Sequence, residues 1–453
     1  MEFIKILSFQ FFFNFLLIKS SELSEIGKHL IFNLKEKKNE IQDFSESNYM
    51  RERMYHKYFT KFNVGIPIQA LNFYFETNIC EIIISEDEYD KIRSTTYKLI
   101  DNNLNSKNYK NNEKNSYLSK EKLEITEEIV LDNFTFFLKN KSKSENEKKI
   151  NIIGLSLNNN KSNNDSLSFL SQLKQNNYID KQVYSFIFDD YIIKEKRGIA
   201  GQLLVGCMPH EVNNIYEEKD LKWISAEDNS VAKRKWHINF DIVKYNNDEL
   251  KDKLAVFDLN LNLIIGPESF RKKLLEEFFK NKIEKNICKE DYFFNIEDEQ
   301  FYLFYSCNMD AEFIEIPKLS FYNKELNEIF NLSFYGLFVN YRHRFYFNII
   351  FNKKPQDRWV FGQLFFKSYR FIFDLERERI GYYKTYENKE HPMIAIFCII
   401  IVLIIIIFSY LFYTNRKENE SLFIQKEINF PIRNEYVNNN NDNKKINEKE
   451  KQN

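Results

Sequence analysis

Leu71-Asn-Phe-Tyr-Phe-Glu76-Thr77-Asn78 and Leu254-Ala-Val-Phe-Asp258-Leu259-Asn260 follow one pattern, an apolar strand that ends in an acid. The acids stand 182 residues apart, and each is followed two positions on by Asn. Each also leads into a second apolar run, Glu81-Ile82-Ile83-Ile84 in one case and Leu261 to Ile265 in the other. A chain that repeats this unit is expected to have two β lobes. Each lobe delivers one carboxylate from a strand end, and together these are the parts of a paired-carboxylate site.

The flanking sequence supports the same architecture. Tyr58 to Phe62 and Gln182 to Phe188 alternate as strands do, and Val64-Gly65-Ile-Pro67-Ile68 reads as a turn. Ser166 to Asn176 puts Leu167, Leu170 and Leu173 on one helical face, and Phe270 to Asn281 is a second short amphipathic helix. Asn102 to Lys120 is polar enough to predict an exposed hairpin or loop, and Trp359 to Tyr383 a last β stretch. The expected fold is therefore all-β and bilobal with a few short helices, the lobes covering 55–200 and 201–386.

Composition excludes several classes. Ten Gly and seven Pro in 453 residues are about 4% turn-makers, where average usage gives about 12%. That excludes collagen-like, Pro-rich and linker sequences, and 43% apolar content excludes simple disorder. Lys+Arg 65 against Asp+Glu 66 leaves a net charge of −1, so no basic field points to a nucleic-acid partner. The six His offer no H-x-x-x-H pair, G-x-S-x-G is absent, and glycines this sparse build no phosphate loop. No metal and no cofactor is expected. Arg342-His343-Arg344 reads as a solvated loop.

Two apolar runs predict topology. Ile6 to Ile18 follows a basic start and precedes Ser20 and Ser21, the layout of a signal peptide over 1–21. Met393 to Phe412 is uncharged and about 30 Å long as a helix, so a transmembrane helix is expected over 392–413. Arg416-Lys417 places the polar tail, 414–453, in the cytoplasm as a disordered segment. The expectation is a single-pass type I membrane protein of the secretory pathway, at the cell surface or in a lysosome- or vacuole-like compartment. Cys288 and Cys307, nineteen residues apart, lie where a disulfide persists. Cys80 and Cys207 read equally well as buried thiols, and Cys398 falls inside the membrane run. Sequons at Asn133, Asn140, Asn160, Asn164 and Asn331 would carry glycans on that route.

From Tyr55 to Lys384 the chain resembles the pepsin family of aspartic proteases. Tyr58-Phe-Thr-Lys-Phe-Asn-Val-Gly65-Ile-Pro67-Ile-Gln69 is similar to the family's Y-x-x-x-x-x-I-G-T-P-x-Q strand, and Ile152-Ile-Gly154-Leu-Ser to I-L-G-L-[AG]. Ser168-Phe-Leu-Ser-Gln-Leu-Lys and Val183-Tyr-Ser-Phe-Ile-Phe resemble the helix and strand that follow. Gly201-Gln-Leu-Leu-Val-Gly206 resembles G-x-L-x-F-G; Trp359-Val-Phe-Gly362-Gln-Leu-Phe-Phe and Phe371-Ile-Phe-Asp374 resemble W-x-L-G-D-x-F and V-F-D. The resemblance implies Glu76 and Asp258 as the catalytic pair and Thr77 as their support. It also implies Tyr109 as the flap tyrosine, Cys288–Cys307 as the second-lobe disulfide, and a peptide or protein ligand between the lobes. Residues 22–54 are read as a leader or propeptide whose charged Glu25, Lys28, Lys35, Lys37 and Lys38 suit a place over an acidic cleft.

The motifs depart from the family's paired Asp-Thr-Gly. Glu76 carries an extra methylene, which moves its carboxylate on the order of 1 Å, and such a misplacement costs about a hundredfold in rate. Leu259 has no hydroxyl to bond across the lobes, and Asn78 and Asn260 put side chains where backbone approaches the carboxylates. Beyond Tyr109, Lys110-Asn-Asn-Glu-Lys-Asn-Ser replaces a Gly-rich flap tip. The expected function is a degenerate pepsin-like binding or scaffold module. The alternatives are an active membrane-anchored endopeptidase using Glu76 and Asp258 to activate water, and a glycosylated coat protein.

Overall fold

The computed structural model describes residues 28–36, 45–54, 57–101, 116–141, 150–157, 168–188, 199–213, 216–226, 235–296, 298–309, 318–332, 334–383 and 401–414. The chain divides into two units, Met1–Thr385 and Tyr386–Asn453. In the second unit, residues 401–414 are helical with exposed apolar side chains from Ile401 to Tyr413. Among the described residues no helix is long and apolar enough to cross a membrane, and 392–400 of the expected span lie outside them. The expected signal peptide and all but the first residue of the expected tail also lie outside the described residues.

The repeat seen in the acid motifs extends to the strand pairings of the first unit. Gln69–Glu76 pairs antiparallel with Tyr58–Val64 and parallel with Asn151–Gly154. Asn151–Gly154 then pairs antiparallel with Ile82–Ser85, which pairs parallel with Val130–Lys139. In the other half Leu254–Phe257 pairs antiparallel with His237–Asn239 and parallel with Trp359–Phe361. Trp359–Phe361 pairs antiparallel with Ile264–Gly266, which pairs parallel with Ile349–Asn352. The same four pairings in the same order put each acid at the end of a central strand. Six strands with contributions from both halves join the lobes, in the order Leu221–Ser225, Arg379–Tyr383, Arg370–Asp374, Val183–Ile187, Gly201–Val205, Leu30–Glu36.

Aromatic packing explains the composition. Phe257, fully buried just before Asp258, meets Phe361, Phe366, Phe371 and Phe373 with ring centroids 5.1 to 6.1 Å apart. Tilted and edge-on rings at such distances add to the area they bury. The expected helix near 166–176 is Phe169–Gln175, capped by Ser168, whose side chain accepts from the Ser171 N–H. Leu170 and Leu173 are buried, and Leu167 lies outside the described residues. Glu268–Leu274 continues as a helix to Glu284, matching the second helical expectation.

Four elements differ from expectation. The polar stretch ends in a strand, Ser116–Glu124, whose inward face is partly polar: Ser119 and Glu121 are fully buried and hydrogen-bond to the Tyr97 and Tyr89 hydroxyls. A polar inward face erased the alternation that would have marked it. The stretch 359–383 contains a helix, Gln363–Ser368, that buries Phe365 and Phe366. Leu30–Glu36 and the helix Glu46–Met54, upstream of the expected first lobe, are built into the folded body. The strand lies between Gly201–Val205 and Tyr58–Val64. The helix buries Tyr49, Met50 and Met54 beside Leu261, Leu263, Tyr346 and Ile350, and Tyr49 stacks on Tyr341 at 3.8 Å.

Cys288 and Cys307 form a disulfide across the hairpin of Cys288–Asn295 and Gln300–Asn308. Cys207 is a buried free thiol whose pKa burial pushes up to about 12. Arg342 and His343 form an exposed hairpin tip in which both residues have positive φ. Met50→Ala is expected to cost about 2–5 kcal/mol in urea unfolding, the range for an emptied core methionine. An unchanged midpoint would mean that the helix does not belong to the cooperative fold.

Candidate active site at the junction of the two lobes

Each acid is delivered by a strand and held by a loop pinned from beneath. In the first lobe, Leu155 N–H donates to Glu76 O (2.8 Å), Ser156 N–H to Ile79 O (2.9 Å) and Gly154 N–H to Glu81 O (3.0 Å). In the second, Asp258 N–H donates to Phe361 O (2.9 Å) and Gln363 N–H to Leu261 O (2.6 Å). A Cβ on Gly154 would run into the Ile79 carbonyl oxygen, and one on Gly362 into those of Leu261 and Leu263. Only glycine allows this approach, so these two residues fix the depth at which the acid loops lie.

Thr77 joins the two loops. Its fully buried hydroxyl donates to Phe257 O (3.4 Å) and accepts from Leu259 N–H (3.1 Å). The reciprocal contact is missing because Leu259, also fully buried, carries no hydroxyl. A second bridge runs beside it: Tyr58 donates its hydroxyl to Gln363 Oε1 (2.7 Å), and Gln363 Nε2 donates to Leu259 O (2.9 Å). A third passes through Leu155, whose carbonyl accepts from Tyr184 OH (2.9 Å) and from Trp236 Nε1 (2.8 Å).

Asp258 is held by donors from both lobes. Asn260 N–H donates to its Oδ1 (3.1 Å), and the Asn78 side chain hydrogen-bonds to its carboxyl from the opposite loop. Burial raises the Asp258 pKa above the usual carboxylate range, while the Asn78 contact, the Lys235 ammonium and the loop N–H groups oppose that rise. Asn78 Oδ1 is buried without a hydrogen-bond partner among the described residues. Neither Asn78 nor Asn260 has a positive φ, so asparagine takes the glycine positions of the family pattern without backbone strain.

Glu76, Thr77 and Asp258 are thus brought to one junction. Tyr109 lies outside the described residues, as do Asn160 and Asn164. Asn133 and Asn331 are exposed, and Asn140 is half-buried with its amide donating to Tyr117 OH (3.1 Å). The sequence did not disclose the Asn78 contact, the Gln363 bridge or Lys235. The first two depend on loop conformation. Lys235, just before the strand His237–Asn239, acts on Asp258 only through the assembled lobe.

Two lobes repeating one set of pairings, with an acid at each central strand end and a threonine hydroxyl between the loops, define a bilobal acid-protease domain. The family model described as eukaryotic aspartyl protease matches residues 57–385, and the chain belongs to that family. A comparison with curated proteins finds no match.

Two measurements check this site. Thr77→Val strands a buried carbonyl and a buried N–H, so a loss of about 1–3 kcal/mol in urea unfolding is expected. An unchanged midpoint would remove Thr77 as the tie. For Asp258 the folded pKa is raised, so its contribution to stability is complete below the unfolded aspartate value of about 3.9 and is lost as pH rises through the folded value. Asp258→Asn should therefore gain stability over the parent as pH rises from 3 to 7. Parallel stability profiles for the two proteins would contradict the assignment.

Proposed function

We propose that this chain is a single-pass membrane protein whose pepsin-like domain binds a peptide or protein ligand between its lobes without hydrolysing it efficiently. The observation that carries this reading is the one-sided tie at Thr77, with Leu259 where a second hydroxyl would hold the carboxylates coplanar. Water activation needs two carboxylates held in register, and Glu76 adds a displacement on the order of 1 Å to a pair steadied from one side only. The Asn78 amide on Asp258 adds a competitor for the position where an attacking water would be held. The uncharged run 393–412 and the apolar leader support a membrane anchor and a lumenal or extracellular domain.

The Thr77 contact itself favours the second reading, an active membrane-anchored endopeptidase with a Glu76/Asp258 dyad, because half of the tie is intact. The test uses the full chain in detergent, incubated with an unstructured protein substrate from pH 3 to 7 beside Asp258→Ala. Binding of a statine-containing peptide with no Asp258-dependent cleavage is the expected result. Cleavage at acid pH that disappears in the variant would establish the active reading. Combining Glu76→Asp, Asn78→Gly, Leu259→Thr and Asn260→Gly should raise cleavage by at least about a hundredfold. No gain from that combination would show that the motif changes are not what limits hydrolysis.

A further inference from the structure

Two turns of the first lobe expose isoleucine where turns ordinarily expose polar residues. The first, Gly65 to Ile68, joins the strands Tyr58–Val64 and Gln69–Glu76, and the second, Asp90 to Arg93, follows the buried Tyr89. Ile66 is 43% exposed, Ile68 56% and Ile92 90%, and Pro67 is exposed between the first two. Surface isoleucines scattered singly are ordinary, but three on two joined turns make an apolar tip.

Hydrogen bonds lock the two turns together. Ile66 O accepts from Thr95 N–H (2.7 Å) and from the Thr95 hydroxyl (3.1 Å), while Ile66 N–H donates to Ser94 Oγ (3.3 Å). The Gln69 side chain takes both backbone groups of Asp90, donating to its carbonyl (2.9 Å) and accepting from its N–H (2.8 Å). Gly65 N–H donates to Lys122 O (2.9 Å), Ile92 N–H donates to Asp90 Oδ1 (3.0 Å), and Pro67 has no N–H. The tip therefore presents apolar side chains over backbone groups that already have partners. That is the condition a chain must meet to enter hydrocarbon.

The charges around the tip suit the same surroundings. Arg93 is exposed, and its side chain has no ion pair or hydrogen bond among the described residues. Lys91 is paired with Glu86, and Asp90 turns one carboxylate oxygen back onto the tip's own backbone. One free cation thus stands beside three isoleucines.

We propose that this tip docks on a lipid surface, with Ile66, Ile68 and Ile92 in the headgroup–acyl boundary and Arg93 against a headgroup phosphate. The inference rests on the membrane reading above and deepens it by giving the anchored domain a second contact. Nine residues separate Tyr383, the end of the last strand, from Met393, where the uncharged run begins, a reach of about 35 Å. A domain tethered that closely meets lipid at high effective concentration, so a small apolar tip is enough.

The test uses the full chain in phosphatidylcholine liposomes made with and without brominated acyl chains. Ile92→Trp should lose about half or more of its added emission to the brominated lipid, because the ring would lie at the acyl boundary. Tyr292→Trp, at an exposed position of the second lobe, should lose none. No quenching at 92, or equal quenching at both positions, would overturn the proposal. Adding Ile66→Ser and Ile68→Ser to Ile92→Trp should abolish the quenching, and adding Arg93→Glu should weaken it. Quenching unchanged by the serines would overturn the docking, and quenching unchanged by Arg93→Glu would remove the phosphate contact. Carbonate extraction tests the anchor separately: a released chain would sink that reading alone. The tip would then be judged by the same quenching after the chain is added to preformed liposomes.

Discussion

The Thr77 hydroxyl, buried between Phe257 O and Leu259 N–H, is the point at which the two lobes become one site. A hydroxyl both donates and accepts, so one side chain bonds both a carbonyl and an N–H of the opposite acid loop. It is the direct bond from one acid loop to the other. The neighbouring bridges, Tyr58–Gln363–Leu259 and Trp236–Leu155, act on the same boundary from two sides. Leu155 is the common node: its N–H fixes the Glu76 backbone, while its carbonyl takes donors from Tyr184 and from the second lobe.

Charge at this junction is set by solvation against local donors. Burial alone would favour a neutral Asp258, and Asn78, the loop N–H groups and Lys235 each pull the other way. Asn78 does so at a cost, because its own carbonyl oxygen stays buried and unmatched among the described residues. A ligand N–H or a water reaching that oxygen would complete the network.

Much of the fold was legible in the sequence because the informative signals were local. The strands leading to Glu76 and Asp258 carry their apolar residues and their acid in one short window. The helix at Phe169–Gln175 announces itself by leucine spacing and a serine cap. The strand Ser116–Glu124 was hidden because two of its three inward positions are Ser119 and Glu121, satisfied by tyrosines distant in sequence. The helix Glu46–Met54 was hidden for a related reason: it lacks a clean amphipathic face and is held by Tyr49, Met50 and Met54 against the second lobe. At the site, the identities of the acids and of Thr77 were readable, but the direction of the Asn78 amide and the placement of Lys235 near Asp258 were not. Both are properties of the assembled lobes.

The distribution of glycine separates two demands that the same loops serve. Gly154 and Gly362 remain where a Cβ would strike the backbone of the acid loops, so the depth and shape of those loops are still constrained. Asn78 and Asn260 occupy positions on the carboxylate side of the same loops, and they adopt ordinary negative φ while hydrogen-bonding to Asp258 through a side chain and a backbone N–H. A site drifting without constraint would lose the support beneath the loops as readily as the access above them. Here the support is intact and the access side is filled with hydrogen-bonding groups.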